Sequence, residues 1–503
     1  MSVLRFAQAC LPQGRCLLTI LATSLVAACA VGPDFKRPAA PEVSQYTSKP
    51  VTSTVATEQV AGGEAQRFAS GGDIPGDWWT LFHSRPLNDL IEQSLANNHD
   101  LKAAQAALSV ARENVLAQRG SYYPSVTGTF SASRQKQSES ISPTPNSNTF
   151  QYNLFTPQVN VSYAPDIFGL NRRTMESVKA QEQAVRYQMI ATQITLSTNV
   201  VAAAVQLASL QGQVDATREL VDINTHMVQI LRDQSTKGYA SGLDLATQES
   251  QLAQVNATLP PLLKQLAQQR DLLDVLVGQY PGQAPDQSFD LAGLQLPQEL
   301  PVSLPSTLVA QRPDVLQAEA NMHAASAQIG IAVANRLPNI VLSANAGSTA
   351  LAMHQLFTSG TGFWGIGADI TAPIFQGGTL LHQERAARAA YVEAAEQYRS
   401  TVMGAFQNVA DSLVALEQDA AGLKAAAAAE VAARHALDLS ERQWKAGYAD
   451  YLSLLSAEQT YQQARITLVQ AQASRYADTA ALFQALGGGW WNRADLARDN
   501  NEK

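Results

Sequence analysis

Apolar side chains recur along this chain with two different periods, and the order in which the periods alternate is itself repeated. From Pro86, Leu87, Leu90, Ile91 and Leu95, then Leu101, Ala104 and Leu108, fall at helical spacing. The pattern predicts one helix running to about Arg119, ended by Gly120. Residues 122–133 switch to a period of two, with Val126, Gly128, Phe130 and Ala132 opposite Ser125, Thr127, Thr129, Ser131 and Ser133. That is a strand with one apolar and one polar face. A Ser/Pro/Asn-rich loop at 138–148 separates it from a second such strand over 151–164, where Val159, Val161 and Tyr163 oppose Gln158, Asn160 and Ser162. Pro165-Asp166-Ile167-Phe168-Gly169 then leads into a helical stretch over 171–236. Lys237-Gly238-Tyr239-Ala240-Ser241-Gly242 breaks it, and a further helix spans 243–259, is interrupted or bent at Pro260-Pro261, and resumes to Val277.

The same events then recur. A Pro-rich connector, 281–305, leads to a helix over 306–336 that contains Arg312-Pro313-Asp314, two strands at 339–349 and 363–372, a second long helix over 379–444, a break at Lys445-Ala446-Gly447-Tyr448-Ala449, and a last helix to Leu486. Gly238-Tyr239-Ala240 matches Gly447-Tyr448-Ala449 at an offset of 209, and Leu243, Leu245, Glu249 and Leu259 match Leu452, Leu454, Glu458 and Leu468 at the same offset. A period this long marks a duplicated half-molecule, not a solenoid. The expected segments are 1–28, a leader; 29–85, an N-terminal arm; 86–280, the first repeat; 281–305, the connector; 306–486, the second repeat; and 487–503, a tail.

Each long helix would extend for roughly 100 Å at 1.5 Å per residue. The shorter helices of each half sum to a similar length, so two end-to-end pairs can lie antiparallel beside two long helices. Ala and Gln dominate these helices, which suits a wall that packs on one side and is wet on the other. Four strands do not close a barrel, and their two faces fit lipid outside and a lumen inside. Closure therefore calls for several chains: three copies give twelve strands and two give eight, and the pattern itself leaves the number open.

Composition sharpens the setting. The chain has 503 residues, 46% hydrophobic and 16% charged, with a net charge of −8. Those values exclude a disordered chain and a basic nucleic-acid binder, and no apolar run of ~20 residues is present to cross a bilayer as a helix. Arg5 and Arg15 precede an apolar segment, Leu17 to Val26, and then Val26-Ala27-Ala28-Cys29, the order of a signal peptide. Small residues before a cysteine resemble a lipoprotein processing site, with Cys29 taking diacylglyceryl and N-acyl chains; an ordinary Ala-x-Ala cleavage is the other reading. Ala30 after the cysteine favours the outer membrane by resemblance to lipoprotein sorting. Removing residues 1–28 takes the charge to −10 and leaves Cys29 as the one cysteine, so no disulfide is expected.

In Cys29-Ala30-Val31-Gly32-Pro33-Asp34-Phe35-Lys36-Arg37-Pro38, Trp78-Trp79-x-x-Phe82, Gln311-Arg312-Pro313-Asp314-Val315, Pro373-Ile374-Phe375-x-Gly377-Gly378, Ala449-Asp450-Tyr451-Leu452-Ser453-Leu454-Leu455 and Ala485-Leu486-Gly487-Gly488-Gly489-Trp490, the chain resembles the TolC-like outer-membrane efflux lipoproteins of the OprM and NodT group. These motifs span the mature chain nearly end to end. The resemblance implies a mainly α protein with β, built as a duplicated helix-strand-strand-helix protomer. It implies a homotrimer, with a twelve-stranded barrel in outer-membrane lipid on a long periplasmic α-helical barrel. It further implies a passive duct for drugs or other small toxic compounds, docked to a periplasmic adaptor and a resistance-nodulation-division pump of the inner membrane. No cofactor beyond the covalent lipid, no enzyme activity and no nucleic-acid partner are implied.

The resemblance also places the gate at the helix breaks. The turns Gly238, Tyr239, Ser241, Gly447 and Tyr448 become adaptor contacts, beyond their plain role as helix-reversal residues. The family constriction reads Tyr-Leu-x-Leu-Leu-Asp. Here Leu452 keeps the leucine, but Ser456 stands where the acid is usual, so a carboxylate ring there is not expected. Asp244 and Asp450 remain as tip acids, with helix N-caps as their simpler role.

Other signals weaken under inspection. Gly360-x-Gly362-x-x-Gly365 fits a dinucleotide fingerprint, but a strand, not a helix, follows it. The seven histidines are scattered, with no pair at helical ligand spacing. Trp364 suits interface anchoring and Trp490-Trp491 tail packing. Rival readings are a type I secretion or metal-efflux duct of the same fold, and a lipid-anchored coiled-coil scaffold without a pore. The scaffold leaves the duplicated two-faced strands without a purpose.

Overall fold

The structure is a computed structural model and describes residues 30–136, 151–282 and 289–497. The leader 1–28, Cys29 and the 138–148 loop lie outside the described residues. The chain divides into two compact units. One takes in the segment up to Arg37, Ser109–Ala184 and Glu319–Gln397; the other takes in Pro38–Leu108, Val185–Ala318 and the chain from Tyr398.

In chain order the elements are β1 (Arg67–Ser70), α1 (Arg85–Asn97), α2 (His99–Arg119), β2 (Ser125–Lys136), β3 (Gln151–Tyr163), α3 (Leu170–Thr236) and α4 (Gly242–Leu276). After them come β4 (Glu299–Val302), α5 (Pro305–Gln311), α6 (Pro313–Ala334), β5 (Asn339–Ser348), β6 (Gly362–Thr371), α7 (Thr379–Lys445) and α8 (Tyr451–Ala485). The two long helices have 67 residues each and the two that return from them have 35 each, so the duplication holds to the residue.

The first unit carries a four-stranded antiparallel sheet in the order β2-β3-β5-β6. Its register keeps like faces together. Val126 pairs with Val161, Val161 with Ala344 and Ala344 with Ile366, while Thr127 pairs with Asn160 and Asn160 with Asn345. A slip of one residue would exchange the faces on every strand. Apolar members such as Val126, Phe130, Ile366 and Trp364, the last 77% exposed, are left uncovered by the described residues. The strand β6 opens at Gly362, so the glycine triad 360–365 runs into a strand as the sequence implied.

The second unit is held by helix packing. Trp78, Phe82, Tyr476 and Phe483 are buried together, with Trp78 stacked on Phe483 at 5.1 Å between ring centroids. Within α3 one window is apolar enough to cross a membrane by composition, and 67% of it is buried in the chain. Val200, Val201, Ala204 and Val205 there are core, which explains an apolar run inside a helix flanked by polar turns.

Three expectations need correction, and one pairing is not foreshadowed by the sequence pattern. The helix expected to run unbroken to Arg119 is two helices, because Asn98 leaves the helical conformation and its Oδ1 accepts from the backbone N–H groups of Asp100 and Leu101 at 2.9 and 3.0 Å. The helix before Arg336 is likewise α5 and α6, parted at Arg312. The proline pair 260–261 does not end α4. Each proline forgoes one helix hydrogen bond, and the buried side chains of Val255, Leu266 and Leu273 on either side hold the helix through it. Finally, the arm and connector are joined: β1 pairs in parallel with β4, from Arg67 opposite Glu299 to Ser70 opposite Val302.

Both helix breaks serve the same purpose. Asn98 Nδ2 donates to the Leu276 carbonyl, at 3.1 Å, and Arg312 Nη1 donates to the Ala485 carbonyl, at 2.9 Å. Leu276 and Ala485 are the last residues of the two returning helices, so each break helps to cap a helix end, the first together with the Ser94 hydroxyl, which also donates to Leu276, at 2.7 Å. This places the end-to-end joints where the helix lengths required them. Arg312 is fixed in turn by Asp314, with two bonds of 2.9 and 2.8 Å, and the Gln311 carbonyl accepts from Trp490 Nε1 at 2.7 Å. The Gln-Arg-Pro-Asp motif and the tryptophan tail are thus structural.

The arm is fastened by Arg475, which is fully buried in α8. Its guanidinium donates to the carbonyls of Gly62, Leu416 and Glu64 at 3.3, 3.2 and 3.0 Å. Arg475→Met removes these donors while keeping bulk; the Gly62 and Glu64 carbonyls lose this donor, while Leu416 keeps its helix bond. The expected cost is about 3 kcal/mol, read as a lowered thermal midpoint of the purified protein. An unchanged midpoint would show that the arm is held by its apolar contacts alone.

Candidate functional site: the helix tips

The two breaks between long and returning helices are built alike. At the first, Gly238 takes a φ of +78°, its N–H donates to the Ser235 carbonyl at 3.1 Å, and the Tyr239 N–H reaches the Gln234 carbonyl at 2.9 Å. At the second, Gly447 takes +75°, its N–H donates to Trp444 at 2.9 Å, and Tyr448 donates to Gln443 at 2.9 Å. This pairing of bonds ends a helix in a left-handed residue, which glycine enters without a Cβ penalty. Tyr239 and Tyr448 follow, 82% and 88% exposed. Nothing among the described residues covers them.

The next helix starts on a serine–aspartate pair used in opposite order. Ser241 is the N-cap of α4: its hydroxyl accepts from the Asp244 N–H at 3.1 Å, and Asp244 accepts from the Ser241 N–H at 3.2 Å. Asp450 is the N-cap of α8 and accepts from the Ser453 N–H at 2.8 Å and from the Ser453 hydroxyl. The cap role expected for both acids therefore holds for Asp450, while Asp244 is the third-position partner of a serine cap. The Ser453 hydroxyl and N–H hold the Asp450 carboxyl below its usual range.

Leu452 and Ser456, four residues apart on α8, lie on one exposed face, with Leu452 61% exposed. Leu243, the counterpart of Leu452, is exposed as well. The opposite face of α8 is a packed tip core. Tyr451 and Leu454 are buried against Met227 and Leu231 of α3, with Leu245, Leu437, Trp444 and Leu455 around them. This cluster draws on all four helices. Trp444 and Met227 carry no mark in the sequence, since isolated apolar residues on Ala-rich helices give no local signal of a meeting point, and the motif that holds Tyr451 does not show that it is buried.

Below the tip core the helices meet through glutamines. Gln459 Nε2 donates to Gln251 at 2.9 Å, and Gln248 Nε2 donates to Asn224 Oδ1 at 2.9 Å. A groove of about 660 Å³ lies between α3, α4 and α8, bordered by Gln213, Gln254, Gln462 and Gln463, and none of its lining residues is charged. Among the described residues no group of three or more His, Cys, Asp or Glu could hold a metal ion.

Cys29 itself lies outside the described residues, but the chain directly after it is fixed. Arg173, buried at the start of α3, donates to the carbonyls of Val31 and Gly32 at 3.0 and 3.2 Å and to Asp34 at 2.8 Å. The Val31 N–H donates to the Phe168 carbonyl at 3.1 Å.

A two-faced sheet whose outer strands lack a second partner among the described residues, joined to duplicated long helices with exposed reversal turns, is the architecture of TolC-type outer-membrane channels, and comparison with known proteins agrees. The Outer membrane efflux protein family model matches residues 90–279 and 304–488, and the chain belongs to that family. It is 30% identical over 488 residues to the antibiotic efflux pump outer membrane protein ArpC of Pseudomonas putida, covering 96% of this chain and 97% of that one. Among solved structures, the outer-membrane channel OprN superposes with a TM-score of 0.81 at 26% identity, covering 92% of this chain and all of its own. VceC of Vibrio cholerae gives 0.76 at 28% identity, over 83% of this chain. The protein is accordingly an outer-membrane efflux channel component.

The glycine turn makes a prediction. An added Cβ at Gly447 would meet nothing within 4 Å, so the cost of Gly447→Ala is the left-handed backbone alone, about 1 to 2 kcal/mol. Hydrogen exchange in the last turn of α7 should quicken about tenfold. Gly447→Asn, which tolerates that conformation better, should recover part of the protection; equal effects from both would reject this origin.

Proposed function

We propose that three copies of this chain form a passive duct, carrying drugs or other small toxic compounds from an inner-membrane pump of the resistance-nodulation-division class and its periplasmic adaptor across the outer membrane. The observation that carries this is the sheet. Among the described residues both outer strands, β2 and β6, lack a second neighbour in the sheet, and one face is apolar through Val126, Phe130, Ala132, Val159, Trp364 and Ile366, turning polar only at Arg134 and Lys136 at the end of β2. In a bilayer such edges must be paired, since no water is there to satisfy their N–H and C=O groups. Copies of the same chain do this by setting β6 of one against β2 of the next. Three copies give the twelve strands expected by resemblance.

The tips then form the periplasmic gate. Leu452 with Ser456 faces away from the chain's own packing, as a residue lining an axis between copies must. Tyr239 and Tyr448 are placed to meet the adaptor. The scarcity of charge along the groove suits a wall that holds no particular cargo, leaving choice to the pump. The named activity of ArpC supports an antibiotic cargo. The clamp by Arg173 supports a lipid anchor on Cys29, because it fixes the chain within two residues of the modified atom.

A deletion strain tests the whole reading. Loss of this chain should raise susceptibility to several unrelated drugs, and outer-membrane fractions of the parent should yield a trimer band on cross-linking; a monomer band alone would sink the trimeric duct. Leu452→Ala removes apolar contact at the axis and should raise single-channel conductance and vancomycin entry, with normal values in a well-expressed variant rejecting a constriction there. Cys29→Ala should take up no labelled palmitate, and normal labelling would place the lipid elsewhere or nowhere on this residue.

A further inference from the structure

One buried acid is left over by the channel reading. Glu458, on the packed face of α8 one turn beyond Leu454, is 3% exposed, and its Oε2 has no hydrogen-bond partner. The duplication shows what is unusual about it. Its counterpart in the first half, at the common offset, is Glu249, which accepts from Arg232 at 2.7 Å on the exposed surface. The residue corresponding to Arg232 in the second half is Glu441. An ion pair between a long and a returning helix has become a pair of acids.

The groups around Glu458 give no cation in exchange. From α7 it feels Glu441, whose own charge is met by Lys445 on the exposed side. From its own helix it acts on Tyr451, whose hydroxyl is buried without a partner. Asp244, at the start of α4, acts on Tyr451 in the same sense. The one arginine at the equivalent level of α3, Arg232, is committed to Glu249. Burial first, and then the Glu441 charge, push the Glu458 carboxyl up to about 7.

We propose that Glu458 is an acid-operated latch on the tip. Protonated, it fits the apolar contact of α8 with its neighbours and keeps the tip packed; ionised, it is driven toward water and loosens that contact. The latch rests on the reading of the tips as the gate for its effect on flow, and on the packing alone for its effect on the helices.

The sign follows from linkage. In the packed tip the carboxyl holds its proton more tightly than an exposed glutamate, whose ordinary value is 4.5. The packed form is therefore favoured in acid. Its share relative to the loosened form falls by up to about tenfold per pH unit between those two values, and levels off above the higher one. Glutamine at this position would keep the neutral form at every pH. Arginine at 441 would recreate the first-half pair and favour the ionised form in place.

The experiment uses the full-length protein in detergent and in planar bilayers, between pH 5 and pH 8. Hydrogen exchange at residues 441–455, corrected for intrinsic rates, should quicken by at least about tenfold from pH 5 to pH 7 and then hold steady, and conductance should rise over the same interval. Glu458→Gln should flatten both curves at the slow, low-conductance level, and Glu441→Arg should remove most of the response through a different residue. A wild-type pH profile in Glu458→Gln would overturn the latch. So would a wild-type profile in Glu441→Arg, should the first variant not fold. Exchange that responds while conductance does not would uphold the latch and remove the tip as the gate.

Discussion

Helix ends are the constraint on which the rest of this protein depends. A helix of 67 residues satisfies its own backbone everywhere except in its first and last turns, and this chain must end and restart such helices repeatedly. It uses the same local answers in both halves. A glycine in the left-handed region closes each long helix, a serine–aspartate pair opens each returning helix, and a side chain from a break elsewhere caps the last carbonyl. Asn98 and Arg312 do this last task with different chemistry. Arginine brings more donors, and Arg312 reaches Ala405 as well as Ala485. The joint it makes therefore ties α7, α8 and the α5–α6 break into one knot.

Local pattern made the long elements legible. The strand alternation at Val126 to Ala132 and the breaks at Gly238 and Gly447 are written within a few residues, so periodicity and turn chemistry locate them closely. The errors share the opposite property. Asn98 reads as one more polar residue on a helix face; its bonds to the Asp100 and Leu101 N–H groups are local, but its bond to Leu276, which gives the break its place in the fold, spans 178 positions. The β1–β4 pair is two four-residue segments joined in parallel across the sequence, too short for either to show a period. Pro260 and Pro261 announce a break that packing overrides. In each case the deciding contact is distant, and one sequence carries no direct mark of it.

The candidate site divides along the same line. Exposed turn residues and the Leu452–Ser456 face could be placed from the breaks and the resemblance. The interior of the tip could not, because Tyr451, Leu454, Met227 and Trp444 come from three helices and meet only after the turns have been made. The serine–aspartate order reversal was visible in sequence, yet its meaning needed the geometry. With serine as the cap, the acid sits one turn into α4; with aspartate as the cap, it sits before α8. Both arrangements put the carboxylate at the positive end of a helix. Neither leaves it as an idle charge on a channel axis.

Duplication also shows where the halves have ceased to be equivalent. At the level below the tip core, the first half buries an amide pair, Asn224 with Gln248, and keeps its acid outside with Arg232. At the matching positions the second half has Ala433 and Ala457, and buries its acid. Two alanines offer no hydrogen bond to an ionised carboxylate, whereas they accept a neutral one at little cost. A neutral amide layer holds through changes of pH. A lone buried carboxyl in the same layer has no such constancy, because burial and the Glu441 charge raise its pKa to about 7. The low charge of the chain thus has a second consequence beyond an unselective wall: it leaves an acid such as Glu458 without the cations that would otherwise fix it.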